Sequence, residues 1–195
     1  MKKIITLAAV LFAAMISVNS FAQIRWSATA GFGQGTLSEK SGGVTVSDPD
    51  NGLFVGVLGE MPIQEVENLG IEAGLVYSWF TDKTDGVKEN FHALNLPVKA
   101  KYCFPLNNEF GFFALAGPTL SLGLSATDKK DGQSLDLYDQ NLKRFDIKLG
   151  IGAGVCFNDI IEFRLGYDWG LLNQSQNSNV TGHIHYLHIG LAYKF

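Results

Sequence analysis

The sequence predicts an all-β fold, an eight-stranded antiparallel up-and-down transmembrane β-barrel, and three observations point to it. Period-two alternation of apolar and polar residues recurs in segments of ten or more residues, the mark of a strand with two different faces. The connections between these segments alternate short and long, as in barrels with tight turns at one end and longer loops at the other. Aromatic residues collect at both ends of the apolar face, where a bilayer has its two interfaces.

The eight predicted strands are Arg25 to Leu37, Asn51 to Glu60, Leu69 to Thr81, Asn90 to Phe104, Glu109 to Ser125, Asn141 to Phe157, Ile160 to Leu172 and His183 to Phe195. Met61 to Asn68, Pro105 to Asn108 and Asn158-Asp159 are the short connections. The longer, polar ones are Ser38 to Asp50, Asp82 to Glu89, Ala126 to Gln140 and Asn173 to Gly182. The connection Ala126 to Gln140, with Asp128, Lys129, Lys130, Asp131, Asp136 and Asp139, reads as a solvated surface rather than a pocket.

Ahead of the strands, Lys2 and Lys3, an apolar run from Ile4 to Val18, and Ser20-Phe21-Ala22 have the form of an export signal cleaved after Ala22. The run is shorter than the ~20 residues of a spanning helix. The expected domains are therefore a signal peptide, 1–22, and a barrel, 23–195. Losing the two lysines takes the formal charge from −4 to −6, and no basic surface suited to nucleic acid phosphates is expected. With 46% hydrophobic residues and 2 cysteines, the chain is neither disordered nor a disulfide scaffold.

Two strands show the faces plainly. Ile161, Phe163, Leu165, Tyr167, Trp169 and Leu171 oppose Glu162, Arg164, Gly166, Asp168 and Gly170. Phe145, Ile147, Leu149, Ile151, Ala153, Val155 and Phe157 oppose Asp146, Lys148, Gly150, Gly152, Gly154 and Cys156. Volume decides which face is inside. Eight strands enclose a lumen just wide enough to be filled by side chains. Long charged residues interleaved with glycines suit that interior, and the bulky continuous apolar face suits lipid. Trp26, Tyr102, Phe104, Phe110, Phe112, Phe157, Tyr193 and Phe195 would form the belt at the short-turn end, and Tyr77, Trp79, Tyr167 and Trp169 the belt at the loop end. Ten tilted residues span about 25 Å, the height of such an apolar band.

The last strand carries His188, Gly190, Tyr193 and Phe195, a pattern similar to the barrel-assembly signal of outer-membrane proteins. Leu94 to Tyr102 (LNLPVKAKY), Phe113 to Pro118 (FALAGP) and Gly150 to Val155 (GIGAGV) resemble the PorT-like outer-membrane β-barrel family of the Bacteroidota. The resemblance covers nearly the whole chain after the leader. It implies an eight-stranded barrel in a Gram-negative cell envelope, in a family of mixed functions with some members linked to protein secretion. The partners expected are outer-membrane lipid, the barrel-assembly machinery and other envelope or surface proteins, with the barrel itself a monomer.

On the polar face, Arg25, Lys99, Lys101, Lys148, Arg164 and Lys194 are nearly balanced by Glu60, Glu72, Asp146, Glu162 and Asp168, which predicts a paired, non-conducting plug. Pro97 and Pro118 each remove a donor, so a bulge or an unpaired ladder position is expected at both. Cys103 and Cys156 lie near the short-turn end on strands separated by another strand, beyond the ~7 Å reach of a disulfide, and are expected as free thiols.

The chemistry-bearing residues do not assemble into a catalytic pattern. The histidines are His92, His183, His185 and His188, and no serine sits two residues from any of them on its own face. His183 and His185 share a face and could take a metal, but ordinary polar residues at a strand mouth are the expectation, with no cofactor. Asp48-Pro49-Asp50-Asn51-Gly52 lacks the later ligands of a calcium loop and reads as a turn, and Gly31-Phe32-Gly33-Gln34-Gly35 has no helix after it to cradle a phosphate. The function expected is a non-enzymatic structural or surface-interaction barrel. An accessory part in a secretion or envelope machine is the alternative, with a lipid-modifying enzyme or a small pore behind it.

Overall fold

The computed structural model describes residues 24–42, 44–84, 87–107, 109–130, 133–140, 142–176 and 180–195. The expected leader, 1–22, lies outside the described residues. Among those described there are nine strands: β1 Arg25–Ser41, β2 Val44–Pro62, β3 Leu69–Thr84, β4 Val87–Pro105, β5 Phe110–Lys130, β6 Gln133–Asp136, β7 Phe145–Phe157, β8 Ile161–Gly170 and β9 Thr181–Lys194. One short helix, α1, spans Leu137–Gln140. Eight strands pair antiparallel with their neighbours in chain order, and β9 returns to β1 to close the barrel. The short β6 stands outside the ring, paired to the end of β5.

The faces are inverted relative to a water-soluble barrel. Along β8, Phe163 and Leu165 are 58% and 55% exposed while Glu162 and Arg164 are 0% and 8% exposed. Because a strand's side chains alternate, a row of greasy residues on one side forces the charged row onto the other. In water this arrangement would cost free energy on both faces. In hydrocarbon it is favourable outside, and it is tolerable inside once the charges are paired.

Both prolines interrupt a ladder, for the reason expected. The β3–β4 pairing runs from Leu69 to Ala73 and resumes at Val76, leaving the positions opposite Leu96 and Pro97 unpaired. The β4–β5 pairing skips Gly117 and Pro118, and it also shifts register between His92 and Ala93, where Leu124 is the extra residue.

Several strands outrun their predicted ends. The connections 38–50 and 82–89 are largely strand, forming hairpins that stand above the barrel. Alternation marks a strand where its two faces meet different media. Above the bilayer both faces meet water, so the pattern fades while pairing continues. Asp48 to Gly52 accordingly lies within β2 and is not a turn. The connection 126–140 is corrected as well: β5 runs on to Lys130, and β6 and α1 follow.

Candidate functional site: the lumen network and its two mouths

Strand parity delivers charged side chains from six strands into the lumen, where they settle in two layers. In the layer nearer the short turns, Lys101 Nζ donates to Glu60 Oε2 at 2.7 Å and to Glu162 Oε1 at 2.5 Å, and lies 3.7 Å from Glu72. Arg164 forks onto Glu72, at 2.8 and 2.5 Å, and also donates through Nε to Glu162 Oε2 at 2.9 Å. Lys194 reaches Glu162 at 2.8 Å, Glu60 at 3.4 Å and Asp159 at 2.9 Å. Arg25 bridges Asp159 and Glu60 at the rim. Cations and carboxylates in this layer are equal in number, so burial leaves no net charge.

Phe113 floors this layer. Its ring, 2% exposed, lies 4.7 Å from Lys101 Nζ and 5.5 Å from the Arg164 guanidinium carbon, a cation–π contact to both. Gly154, opposite Phe113 in the ladder, makes the space: a Cβ there would fall 2.3 Å from the ring.

The second layer lies toward the loops. Asp168 accepts from Lys99 at 2.8 Å and from Thr119 at 3.2 Å, and His188 Nε2 lies 3.2 Å from its other oxygen. Ser121 donates to Asn95, whose amide donates to Ser78, forming a short chain of buried neutral groups. Lys148 is buried with Ser121 Oγ at 3.5 Å and the Tyr186 ring 5.9 Å away. Asp146 accepts from Leu172 N at 3.4 Å, and its second oxygen is buried without a hydrogen-bond partner among the described residues. Cavities of about 70 and 90 Å³ flank Lys148. Polar spaces of this size have room for water, which is how buried polar groups are ordinarily satisfied.

The two mouths differ. The short-turn mouth is a vestibule of about 460 Å³ with Glu60, Glu162 and Lys194 at its floor and Arg25, Asp159, Cys103 and Cys156 around it. The cysteines are free and half-buried. Asp159 sits in the tight β7–β8 turn: burial acts to raise its pKa, but hydrogen bonding and attraction from Lys194 and Arg25 outweigh that and hold it below the usual carboxylate range. The loop-side mouth is plugged. Tyr138 of α1 is buried against Phe91 and under Arg144, whose guanidinium lies 4.5 Å from its ring, and burial pushes its phenol pKa up. Gln174, 1% exposed, donates to Phe145 O, and Gln176 donates to Tyr138 O and Leu142 O, binding the segment 171–176 across the opening.

All eight residues singled out as lumen charges, Glu72, Lys99, Lys101, Asp146, Lys148, Glu162, Arg164 and Asp168, are inside the barrel, shared between the two layers. Arg25 is corrected to a rim position, its side chain 48% exposed, because the first residue of β1 lies level with the mouth. The residues of the proposed assembly pattern are split between faces. Tyr193 and Phe195 point outward, 57% and 73% exposed, while His188 points inward to Asp168 and Gly190 packs beneath Phe54. His183 and His185 lie on the outward parity of β9, where His185 stacks on Tyr167, and His92 accepts from or donates to the Tyr77 hydroxyl at 2.6 Å. Tyr167 is half-buried where the loop-end belt was expected to expose it.

Sequence reasoning missed the inward aromatics Phe54, Phe80, Phe113 and Tyr186. Each has the parity of the charged face. The signal was a large ring set among glycines: Gly33 and Gly166 are where Cβ atoms would strike the Tyr186 and His188 rings.

The sequence matches the model of the outer membrane protein beta-barrel domain over residues 20–176. No curated protein matches it. Among solved structures it is similar to Neisserial surface protein A, at 16% identity and a TM-score of 0.51 over 87% of this chain and 97% of that one. The outer membrane protein OprG of Pseudomonas aeruginosa is 15% identical, with a TM-score of 0.47 over 88% and 95% of the two chains. The outer membrane enzyme PagL is 11% identical, with a TM-score of 0.45 over 83% and 98%.

Proposed function

Because this chain belongs to the outer membrane protein beta-barrel domain family and is an outer-membrane β-barrel, we propose that it works there as a non-enzymatic, non-conducting element whose loop-side surface meets other molecules. The observation that carries this reading is the layer of Lys101, Arg164 and Lys194 locked onto Glu60, Glu72 and Glu162. An ion crossing the lumen would have to break several buried pairs at once, each costly to separate. The imidazole groups support the same view: His188 is engaged with Asp168 in the second layer, and His92 faces outward with Tyr77.

The finer reading follows the PorT-like resemblance of LNLPVKAKY, FALAGP and GIGAGV. Under it the leader is removed after Ala22, the assembly machinery takes hold of the last strand through His188, Gly190, Tyr193 and Phe195, and the folded barrel is a monomer in lipid. The alternative role, an accessory component of a secretion or envelope machine, predicts stable co-purification with envelope proteins after gentle extraction.

Reconstitution in planar bilayers tests the main reading. The native barrel is expected to show no stepwise current, and lipid A from cells lacking the protein is expected to be unaltered. Steady unitary currents, or a changed acylation pattern, would overturn it.

A further inference from the structure

Among the described residues, one buried cation of the lumen lacks the partner that the others have. Lys99 has a carboxylate oxygen at 2.8 Å, Lys101 at 2.5 Å, Arg164 at 2.5 Å and Lys194 at 2.8 Å. Lys148 is equally enclosed, 7% exposed, yet no carboxylate among the described residues comes within salt-bridge distance of its ammonium. Its hydrogen-bond contact is the neutral Ser121 Oγ at 3.5 Å, the outer limit of useful range. Asp146, two residues along the same face of β7, turns away to the segment 171–176 and accepts from Leu172 N. A charge taken out of water and left unpaired is costly.

The surroundings of Lys148 have donors to spare. Asn95, Lys148 and Tyr186 line both of the lumen cavities, of about 70 and 90 Å³. The Tyr186 hydroxyl is buried with no hydrogen-bond partner among the described residues. Ser121 gives its hydrogen to Asn95 and Asn95 gives one to Ser78, so Ser78, which lines the upper cavity, still has its own hydrogen to give. The carboxylates that also line these spaces are engaged: Glu72 by Arg164, Asp168 by Lys99, Thr119 and His188, while Asp50 and Glu89, toward the loops, have interactions of their own. What the shared space lacks is an acceptor with negative charge. Water supplies lone pairs there but nothing to set against the ammonium.

We propose that the upper lumen binds a small monovalent anion of halide size, held by Lys148 Nζ and the Tyr186 hydroxyl with Ser78 and Ser121 beside it. A void of about 70 Å³ exceeds the roughly 10–15 Å³ that one water needs, and so has room for such an ion. The anion ties β7 to β9 where side chains alone leave the charge open. It is a structural guest and not a permeant ion, because the Lys101–Arg164 layer lies below it and the Tyr138 plug above. The inference goes beyond the loop-side role and does not depend on it.

The test refolds the native barrel in detergent micelles at fixed pH and ionic strength, with chloride replacing gluconate stepwise. The thermal gel-shift midpoint is expected to rise by several degrees and level off as chloride saturates its site, and to stay flat in Lys148→Met. Bromide is expected to replace chloride, and crystals grown in it to show anomalous scattering between Lys148 and Tyr186. Tyr186→Phe, which keeps the ring and removes one donor, is expected to weaken chloride binding by about tenfold, and it carries the test should Lys148→Met not fold. A native midpoint indifferent to chloride would overturn the proposal and assign the space to water. A chloride effect undiminished in both variants, or bromide found only elsewhere, would overturn it as well.

Discussion

The Arg164 guanidinium grips the Glu72 carboxylate with two parallel hydrogen bonds, although β8 and β3 are nowhere paired. The fork therefore crosses the lumen and ties opposite walls together. Its removal leaves Glu72 and Glu162 as buried carboxylates short of a partner. Arg164→Met is expected to cost about 3–5 kcal/mol, and the double variant with Glu72→Gln to recover part of that loss. Urea unfolding of protein refolded into phosphatidylcholine vesicles measures both.

The outward face makes the opposite demand. Leu165 lies midway along β8 and is 55% exposed. Leu165→Arg in a bilayer is expected to cost about 2–4 kcal/mol, and the same change at the loop-end belt, Trp169→Arg, clearly less. A pair of equal costs in the vesicle titration would mean that these positions do not differ in membrane depth.

Glycine tolerance separates crowded positions from open ones. A Cβ on Gly31 would fall 2.2 Å from Ile189 O and 2.5 Å from Gly190 Cα, both backbone atoms that cannot swing aside. At Gly35 the nearest atom would be 3.5 Å away, an ordinary contact. Gly31→Ala is expected to destabilise by about 1–3 kcal/mol, and Gly35→Ala to be neutral or slightly stabilising. Thermal gel-shift midpoints of the two variants give the comparison.

Asp159 links stability to pH at the short-turn mouth. Its folded pKa is depressed because Lys194 and Arg25 overcome the effect of burial. The sign follows: a depressed carboxylate contributes stability that is fully present above its unfolded pKa and is lost as pH falls through the folded one. Protection of the β7–β8 turn amides, taken relative to their intrinsic exchange rates, is expected to fall in that acidic range for the native protein, and Asp159→Asn is expected to flatten the dependence. An unchanged profile in the variant would remove Asp159 from the acid response.

The plug at the other mouth gives a contrast of a different kind. Among the described residues the Tyr138 hydroxyl is buried with no hydrogen-bond partner, while its ring carries the packing against Phe91 and Arg144. Tyr138→Phe is expected to be as stable as the native chain or up to about 1 kcal/mol more so. Tyr138→Ala is expected to speed amide exchange around Leu142 by an order of magnitude or more, read by mass spectrometry.

The barrel was legible in the sequence wherever two media meet across one sheet. In β8 every second residue from Glu162 to Asp168 is polar or glycine, and each is buried as alternation requires. The pairing of Glu72 with Arg164 was not legible, since parity says which residues enter the lumen and not at what height they meet. Tyr138 and Gln174 escaped for another reason. Both lie in polar connections without periodicity, and their burial depends on α1 and the segment 171–176 folding back over a mouth that no local pattern describes. Asp159 looked like a turn former and is one, but the turn also places its carboxylate beside Lys194.

Closure of the ring joins Ser27 to Lys194, near the start and the end of the described chain. That seam has the largest loop-closure demand in the molecule, so strand pairing can be completed at one place last of all. A product cut short before β9 would keep two raw margins, with β1 and β8 each lacking a neighbour, and would be held open to proteases and to other nascent chains. Sealing the barrel wall thus waits on the fourteen residues of β9.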